Sequence, residues 1–351
     1  MPSRPPLTAE FDATVLAEAL PRHVLAGHMR YRHFQLLAEG GKAQVFSCRD
    51  VILGRDVALK LLHRRLAESP LEQQLLVREA RIMAALRHAA IPEIYDLSRD
   101  PDGRPCFAMS LKLGLTLHDV LTGLRAGDPA LAELYDLERL VSVLLQVAAA
   151  LEYAHRLNVV HCDLKPENII VDAVAVASLV DWGLAIVDDY DEDAGANPAV
   201  KARGRQGSAL YMAPEQAAGD ARLTTAVDVY GLGVLLYECL TLRTPHLGAT
   251  KQDTLRQIVE CEPAAPRTAA PGRHIPLELQ ALCLRALRKR PDERLASMSE
   301  FRAALEDCRT DVLLEFERAS YDGPAAALGG WDDRCDFDRA TDRCADAVLD
   351  D

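Results

Sequence analysis

The segment His161-Cys162-Asp163-Leu164-Lys165-Pro166-Glu167-Asn168 puts a carboxylate, an ammonium and a side-chain amide within six residues, directly before the apolar run Ile169-Ile170-Val171. Asp163 can accept a hydroxyl proton or orient the hydroxyl, and Lys165 can neutralise charge on a transferring phosphoryl group. The side-chain carbonyl of Asn168 is a hard oxygen donor suited to Mg²⁺. Thirteen residues further on, Asp181-Trp182-Gly183 supplies a second such oxygen. Upstream, the strand-like run Val57-Ala58-Leu59-Lys60 ends in a single lysine, and Glu79 on the following helix offers it a partner. Alone, a lysine at the edge of an apolar run more often keeps its head in water and its stem along the surface. The pair gains meaning only beside the octapeptide, because together these groups stand in the order that phosphoryl transfer needs.

The elements that must hold these residues fall into two textures. From Tyr31, strand-like runs at Arg32–Leu37, Gln44–Cys48 and Val57–Leu62 are separated by Gly and Asp turns, the pattern of an antiparallel sheet. Residues 71–86 then show helical spacing, with Leu71, Leu75, Arg78, Ile82 and Leu86 around one stripe and Glu79 and Met83 beside it, and Cys106–Leu111 reads as another strand. Beyond Gly114 the chain turns helical. Leu137–His155 carries Leu140, Leu144, Val147, Leu151 and Ala154 on one face, and further helices are expected at Ala226–Thr241, Leu277–Arg288 and near Ser299–Asp307. The stretch from Asp188 to Ser208 has little periodicity, and a loop that long in a compact domain is usually functional or disordered. The first thirty residues fit either a disordered arm or a helix docked on the body.

Composition bounds the classes. At about 150 residues per domain, 351 residues make two compact units or one two-lobed unit with tails. A net charge of −13 argues against nucleic-acid binding, which needs a basic face. The tail from Ala319 to Asp351 holds nine Asp against three Arg and so carries −6 of that charge. Its composition suits a disordered solubilising segment, with Trp331 and Phe337 leaving room for a partner-binding motif. No apolar run reaches the roughly 18 residues of a membrane span, and the start lacks the apolar core of a signal peptide. Nine cysteines without a CxxC pair point to reduced thiols in a cytoplasmic protein, and the ten histidines show no metal-ligand spacing.

These spacings resemble the eukaryotic-like Ser/Thr protein kinases, especially the bacterial branch. The likeness runs from about Tyr31 to Asp311 through Val57–Lys60, His161–Asn168, Asp181–Gly183, Ala213-Pro214-Glu215, Asp228–Gly233 and Arg294. It implies an α+β, two-lobed fold: a small antiparallel β lobe with one main helix (residues 31–110) and a larger, mostly helical lobe (111–312), between an N-terminal extension (1–30) and an acidic tail (313–351). The resemblance further implies that Lys60, paired to Glu79, holds the ATP phosphates. Asp163 would then be the catalytic base, Lys165 a further catalytic residue, and Asn168 and Asp181 the Mg²⁺ ligands. Gly40 and Gly41 would approach a phosphate, and Val45, Ala58 and Ile170 would sandwich adenine. Ser110–Lys112, centred on Leu111, would be the hinge, with Met109 guarding the pocket behind it. Glu215 and Arg294 would form a buried salt bridge, and Asp228 would brace the catalytic loop. Lys165 and the Ala-Pro-Glu segment favour Ser/Thr of protein substrates over tyrosine or small molecules.

Three departures qualify the likeness. Alanines 38 and 43 replace the first and third glycines of the loop Ala38–Val45, and a left-handed backbone at either would cost about 1–2 kcal/mol; weaker ATP binding is expected. Trp182 replaces the usual phenylalanine. Cys162 replaces the arginine that ordinarily receives an activation-segment phosphate, and from Leu184 to Gln206 the chain has no Ser or Thr, only Tyr190. Activity independent of phosphorylation there is therefore expected. The acidic run Asp188–Asp193 is either a solvated loop or a dock for Arg203 or Arg205. The rival from another class is a pseudokinase acting as a nucleotide-binding scaffold; in either case a regulatory partner would engage the N-terminal extension or the acidic tail.

Overall fold

Period-two runs rich in Val, Leu and Phe form the first elements, and their register decides which residues share a face. The structure, a computed structural model, describes residues 30–100, 103–187, 208–220 and 223–321, with side chains as far as Arg309. Strands β1 (Tyr31–Glu39), β2 (Ala43–Asp50), β3 (Arg55–Leu62), β4 (Ile94–Arg99) and β5 (Pro105–Ser110) make one sheet in the order β1-β2-β3-β5-β4, antiparallel throughout. Val45 pairs with Lys60, and Met109 with Ala58. Directly opposed residues lie on the same face, as do residues two apart. Val45, Ala58, Lys60 and Met109 therefore share one side of the sheet. On the other side Cys48, Val57, Leu59, Cys106 and Ala108 close a small core with Tyr31, Leu61 and Tyr95 against it.

Helix α1 (Pro70–Ala85) starts at a side-chain cap, the Ser69 hydroxyl accepting from the Glu72 N–H, with Pro70 at the first helical position. It buries Leu76, Glu79, Ala80, Ile82 and Met83. Of the stripe expected from sequence, only Ile82 and the following Leu86 are buried, whereas Leu71, Leu75 and Arg78 are half-exposed. The physical reason is Glu79: its partner lies under the sheet, so the helix turns that carboxylate inward and the apolar face follows.

The helical lobe begins with β6 (Leu115–Thr116), α2 (Leu117–Ala126), α3 (Pro129–Leu134) and α4 (Leu137–Arg156). Two-residue β7 (Val159–Val160) precedes the loop 161–168, β8 (Ile169–Val171) and β9 (Ala177–Leu179) follow it, and β10 (Ile186–Val187) returns to pair with β7. Next come α5 (Pro214–Ala218), α6 (Ala226–Thr241), α7 (Lys251–Glu260), α8 (Pro266–Ala269), α9 (Leu277–Ala286) and α10 (Met298–Tyr321). Helix α6 is buried from Val227 to Thr241, so it is the axis on which the lobe is assembled. Two glycines make that closeness possible. A Cβ at Gly233 would lie 2.7 Å from the Ala286 Cβ on α9, and one at Gly231 would lie 3.1 Å from the Leu164 Cβ, within the loop 161–168.

Strand β4 and helices α2, α3, α5, α7 and α8 go beyond the elements expected from sequence, and α9 ends at Ala286 before the expected Arg288. Helix α10 continues to Tyr321, so the tail expected from residue 313 opens with helix. The extension at 1–29, the acidic run 188–193 and the tail beyond 321 lie outside the described residues. Among the described residues no helix is long and apolar enough to cross a membrane. The fold is a small antiparallel β lobe with one main helix, followed by a larger helical lobe.

Candidate active site

Strand β3 delivers Lys60 and helix α1 delivers Glu79, and their side chains meet at 2.6 Å. The same ammonium donates to Asp181 at 2.9 Å. Burial alone pushes Lys60 toward the neutral form, but Asp181 and Glu79 outweigh it and the net shift is upward. The Lys60 charge holds the Asp181 carboxyl well below the usual carboxylate range. This triad links sheet, helix and the segment after β9 through one cation. Gly183 leaves room for it: a Cβ there would stand 3.3 Å from Asp181 Oδ1 and 3.4 Å from Glu79 Oε2.

In the catalytic loop Lys165 Nζ donates to Asp163 Oδ2 at 2.8 Å. The Asn168 amide nitrogen donates to the Asp163 carbonyl at 2.9 Å and to its carboxylate at 3.3 Å. With its nitrogen so committed, Asn168 leaves its carbonyl oxygen for a hard cation. Asp181, whose side chain is 42% exposed, is a second oxygen donor. Among the described residues there is no cluster of three His, Cys, Asp or Glu able to cage a metal. Two protein oxygens fit an ion that keeps waters and bridges phosphates, as Mg²⁺ does, so the donor set suits the expected ligand.

The loop itself is held from below by α6. Asp228 accepts from the backbone N–H groups of His161 at 2.8 Å and Cys162 at 2.9 Å, while His155 Nε2 contacts the same carboxylate at 2.8 Å. Cys162 is buried in a left-handed conformation, φ 63°. For a non-glycine residue that is strained, and it persists because its N–H and carbonyl are both fixed. The carbonyl accepts from Gln216 Nε2 at 2.9 Å, and Gln216 Oε1 caps the Ala213 N–H at 3.0 Å. Trp182 is wholly buried, stacks edge-on against His161 with centroids 4.6 Å apart, and donates its indole N–H to the Leu179 carbonyl at 3.3 Å. The indole thus fills the interior and finds a hydrogen-bond partner there.

The residues expected around adenine are distributed over both lobes: Val45, Ala58 and Met109 on one face of the sheet, Ile170 on β8, and Ser110–Lys112 half-buried at the end of β5. The glycine loop corrects the sequence reading. Neither Ala38 nor Ala43 has a positive φ; Ala38 pairs with Val45 in β1, and Ala43 opens β2 opposite Leu62. The strain that would weaken ATP binding is absent. The turn is made by Gly40 and Gly41, with the Gly40 N–H on the Ala43 carbonyl at 2.9 Å. His63 meets the Gly40 carbonyl at 2.7 Å, Arg65 the Gly41 carbonyl, and Lys42 bridges to Glu72 at 3.0 Å. Ala38→Gly combined with Ala43→Gly is expected to leave the ATP KM within about twofold, since no left-handed position is relieved. A several-fold fall in KM would restore the strain argument.

Some contacts had no local signal in the chain. Arg294 reaches Glu215 in two bonds of 2.7 Å each, as expected from the resemblance. Gln216 to Cys162, His155 to Asp228 and the Arg125–Glu238–Tyr211 network were not anticipated. In the last, Tyr211 donates to Glu238 at 2.8 Å and Arg125 from α2 meets its other oxygen. The partners stand between 27 and 113 positions apart, and no periodicity encodes such a pairing.

Comparison with known proteins agrees with this geometry. The family model described as "Protein kinase domain" matches residues 31–305. A probable serine/threonine-protein kinase of Streptomyces coelicolor, SCO3848, is 36% identical over 283 residues, covering 80% of this chain and 40% of its own. The serine/threonine-protein kinase PknB of Mycobacterium tuberculosis is 34% identical over 281 residues, covering 79% and 42%. The DNA damage-responsive serine/threonine-protein kinase RqkA of Deinococcus radiodurans is 33% identical over 313 residues, covering 88% and 44%. The matched region spans about two fifths of the length of these relatives. A lysine tied to a helix glutamate, an acid–lysine–amide catalytic loop and this match over most of the sequence together place the chain in the protein kinase family, with the bacterial Ser/Thr kinases.

Proposed function

We propose that this chain transfers the γ-phosphoryl group of ATP to Ser and Thr hydroxyls of protein substrates. The observation that carries the reading is Lys60 bonded at once to Glu79 and Asp181, because it closes the phosphate-binding lysine onto the metal-binding carboxylate. Bound by Asn168 and Asp181, Mg²⁺ would neutralise charge on the phosphate oxygens. Asp163 orients the substrate hydroxyl and takes its proton as the new P–O bond forms and the bridge to the ADP leaving group breaks. Lys165, held at 2.8 Å from Asp163, faces the charge that spreads over the transferring group. Lys60 positions the non-transferred phosphates. The intact set disfavours a scaffold without catalysis. Incubation with γ-labelled ATP, Mg²⁺ and a generic protein substrate tests this: phosphoserine and phosphothreonine are expected on acid hydrolysis. Label confined to tyrosine, or left in ATP, would overturn the proposal.

The same reading makes the activity independent of activation-segment phosphorylation. The receiving arginine is Cys162, whose backbone is already fixed by Asp228 and Gln216. The segment after Asp181 is tied by backbone pairing of Ile186 with Val160 and Val187 with Val159. Enzyme stripped of phosphate should therefore show a linear initial rate. A lag that prior autophosphorylation removes, with the site mapped between Leu184 and Ser208, would contradict this. A cytoplasmic location and a regulatory partner on the flanking segments belong to the same proposal.

A further inference from the structure

Arg78 and Glu79 are consecutive on α1, so their side chains leave the helix about 100° apart. Glu79 goes inward to Lys60 at 2.6 Å. Arg78 Nη1 goes instead to the backbone carbonyl of Ala185, also at 2.6 Å, across 107 positions of sequence. Ala185 is buried, its N–H closes a turn on the Trp182 carbonyl at 3.1 Å, and β10 begins at the next residue. Helix α1 therefore grips the same segment twice: at Asp181 through Glu79 and Lys60, and at Ala185 directly.

We infer that Arg78 is a positioning residue that locks α1 and the Asp181–Val187 segment together in the arrangement that pairs Lys60 with Glu79. Outward movement of α1 would have to break the Arg78 bond as well as the Lys60 pair. The acceptor is a main-chain carbonyl beside a turn and a strand pair, so it is present without phosphorylation. A guanidinium donor makes the bond charge-assisted, stronger than a neutral one. Arg78 does for this segment what a phosphate does for a loop that must be ordered by modification. The inference rests on the proposed kinase activity for its catalytic readout, but not for its structural one.

The test compares Arg78→Ala and Arg78→Lys with the wild-type full chain by phosphotransfer kinetics, thermal unfolding and amide hydrogen exchange. Arg78→Ala is expected to lower kcat about tenfold, the loss of one charge-assisted bond, with the protein-substrate KM and the unfolding midpoint little changed. Exchange should rise in peptides covering 76–82 and 183–187, and Arg78→Lys, which keeps a charged donor, should recover part of both effects. Wild-type exchange at 183–187 in Arg78→Ala overturns the inference whatever the activity. Raised exchange with undiminished kcat overturns it too. If the wild type itself transfers no phosphate, the kinase proposal fails, and the exchange measurement still decides whether Arg78 holds the segment.

Discussion

Asp163→Asn is expected to lower kcat by about 10³-fold while the dissociation constant for Mg²⁺-ATP stays close to wild type. The amide has the carboxylate's shape and can still accept from Lys165, so the loop keeps its form. The Asn168 bond to the residue 163 main-chain carbonyl, 2.9 Å in the native chain, does not depend on the side chain. What disappears is the negative charge that orients and deprotonates the hydroxyl. Nucleotide affinity should persist because Lys60, Glu79 and Asp181 form a separate cluster. Lys60→Met and Asp181→Ala should also cost orders of magnitude, since positioning and charge neutralisation supply most of the rate in this reaction class. Initial rates beside equilibrium nucleotide binding distinguish the cases. Wild-type turnover in Asp163→Asn would remove that residue from its role.

The largest effect on stability should come from the pair far from the chemistry. Arg294 has no exposed side-chain surface and Glu215 is 9% exposed. Besides its two bonds to Glu215, the guanidinium donates to the carbonyls of Arg288 at 2.8 Å, Ala226 at 2.7 Å and Lys289 at 3.0 Å. It thus joins α5, the start of α6 and the loop after α9. Truncating one partner of a buried ion pair leaves a charge uncompensated and costs about 3–5 kcal/mol. Here the carbonyls lose their donors too, so Arg294→Met should reach the upper part of that range. Domains are stable by only about 5–15 kcal/mol, and the variant should unfold at markedly lower denaturant. Glu215→Gln with Arg294→Met should cost less than the sum of the single changes, because the second removes the charge stranded by the first. A cost below about 1 kcal/mol for either truncation, measured by urea unfolding, would refute the assigned weight of the pair.

The parts legible in the chain were those with a local signature. The bounds of helix α6 are legible because apolar residues dominate it between Thr225 and Leu242, with Asp228 and Glu238 as its only charged residues, and those of α4 because one face repeats with helical period. The octapeptide from His161 to Asn168 carried its own order of groups. The buried face of α1 lies beside the apolar stripe, on the side of Glu79 and Met83, because a carboxylate that must face inward sets it and hydrophobic periodicity has no term for that. The alanines of the glycine loop were misjudged for a related reason: sequence shows a missing glycine but not whether the position needs a positive φ. Short strand β4 and the capped helices α2 and α7 were missed although Thr116–Asp119 and Thr250–Asp253 both carry N-terminal caps. Gln216, Arg78 and Arg125 act across the fold, and only the folded chain brings their partners near.

Single-turnover phosphotransfer tests the central claim most directly, because it isolates chemistry from product release and from the choice of a natural substrate. Enzyme in excess is mixed with trace γ-labelled ATP, Mg²⁺ and a Ser/Thr-containing protein, and label is followed on protein and in nucleotide while binding is measured separately. With Lys60 joined to Glu79 and Asp181 and with Asp163 intact, label should pass to serine and threonine in the wild type and stay in ATP in Asp163→Asn. Wild-type protein that binds the nucleotide yet leaves the label in ATP would contradict the account and identify a nucleotide-binding scaffold.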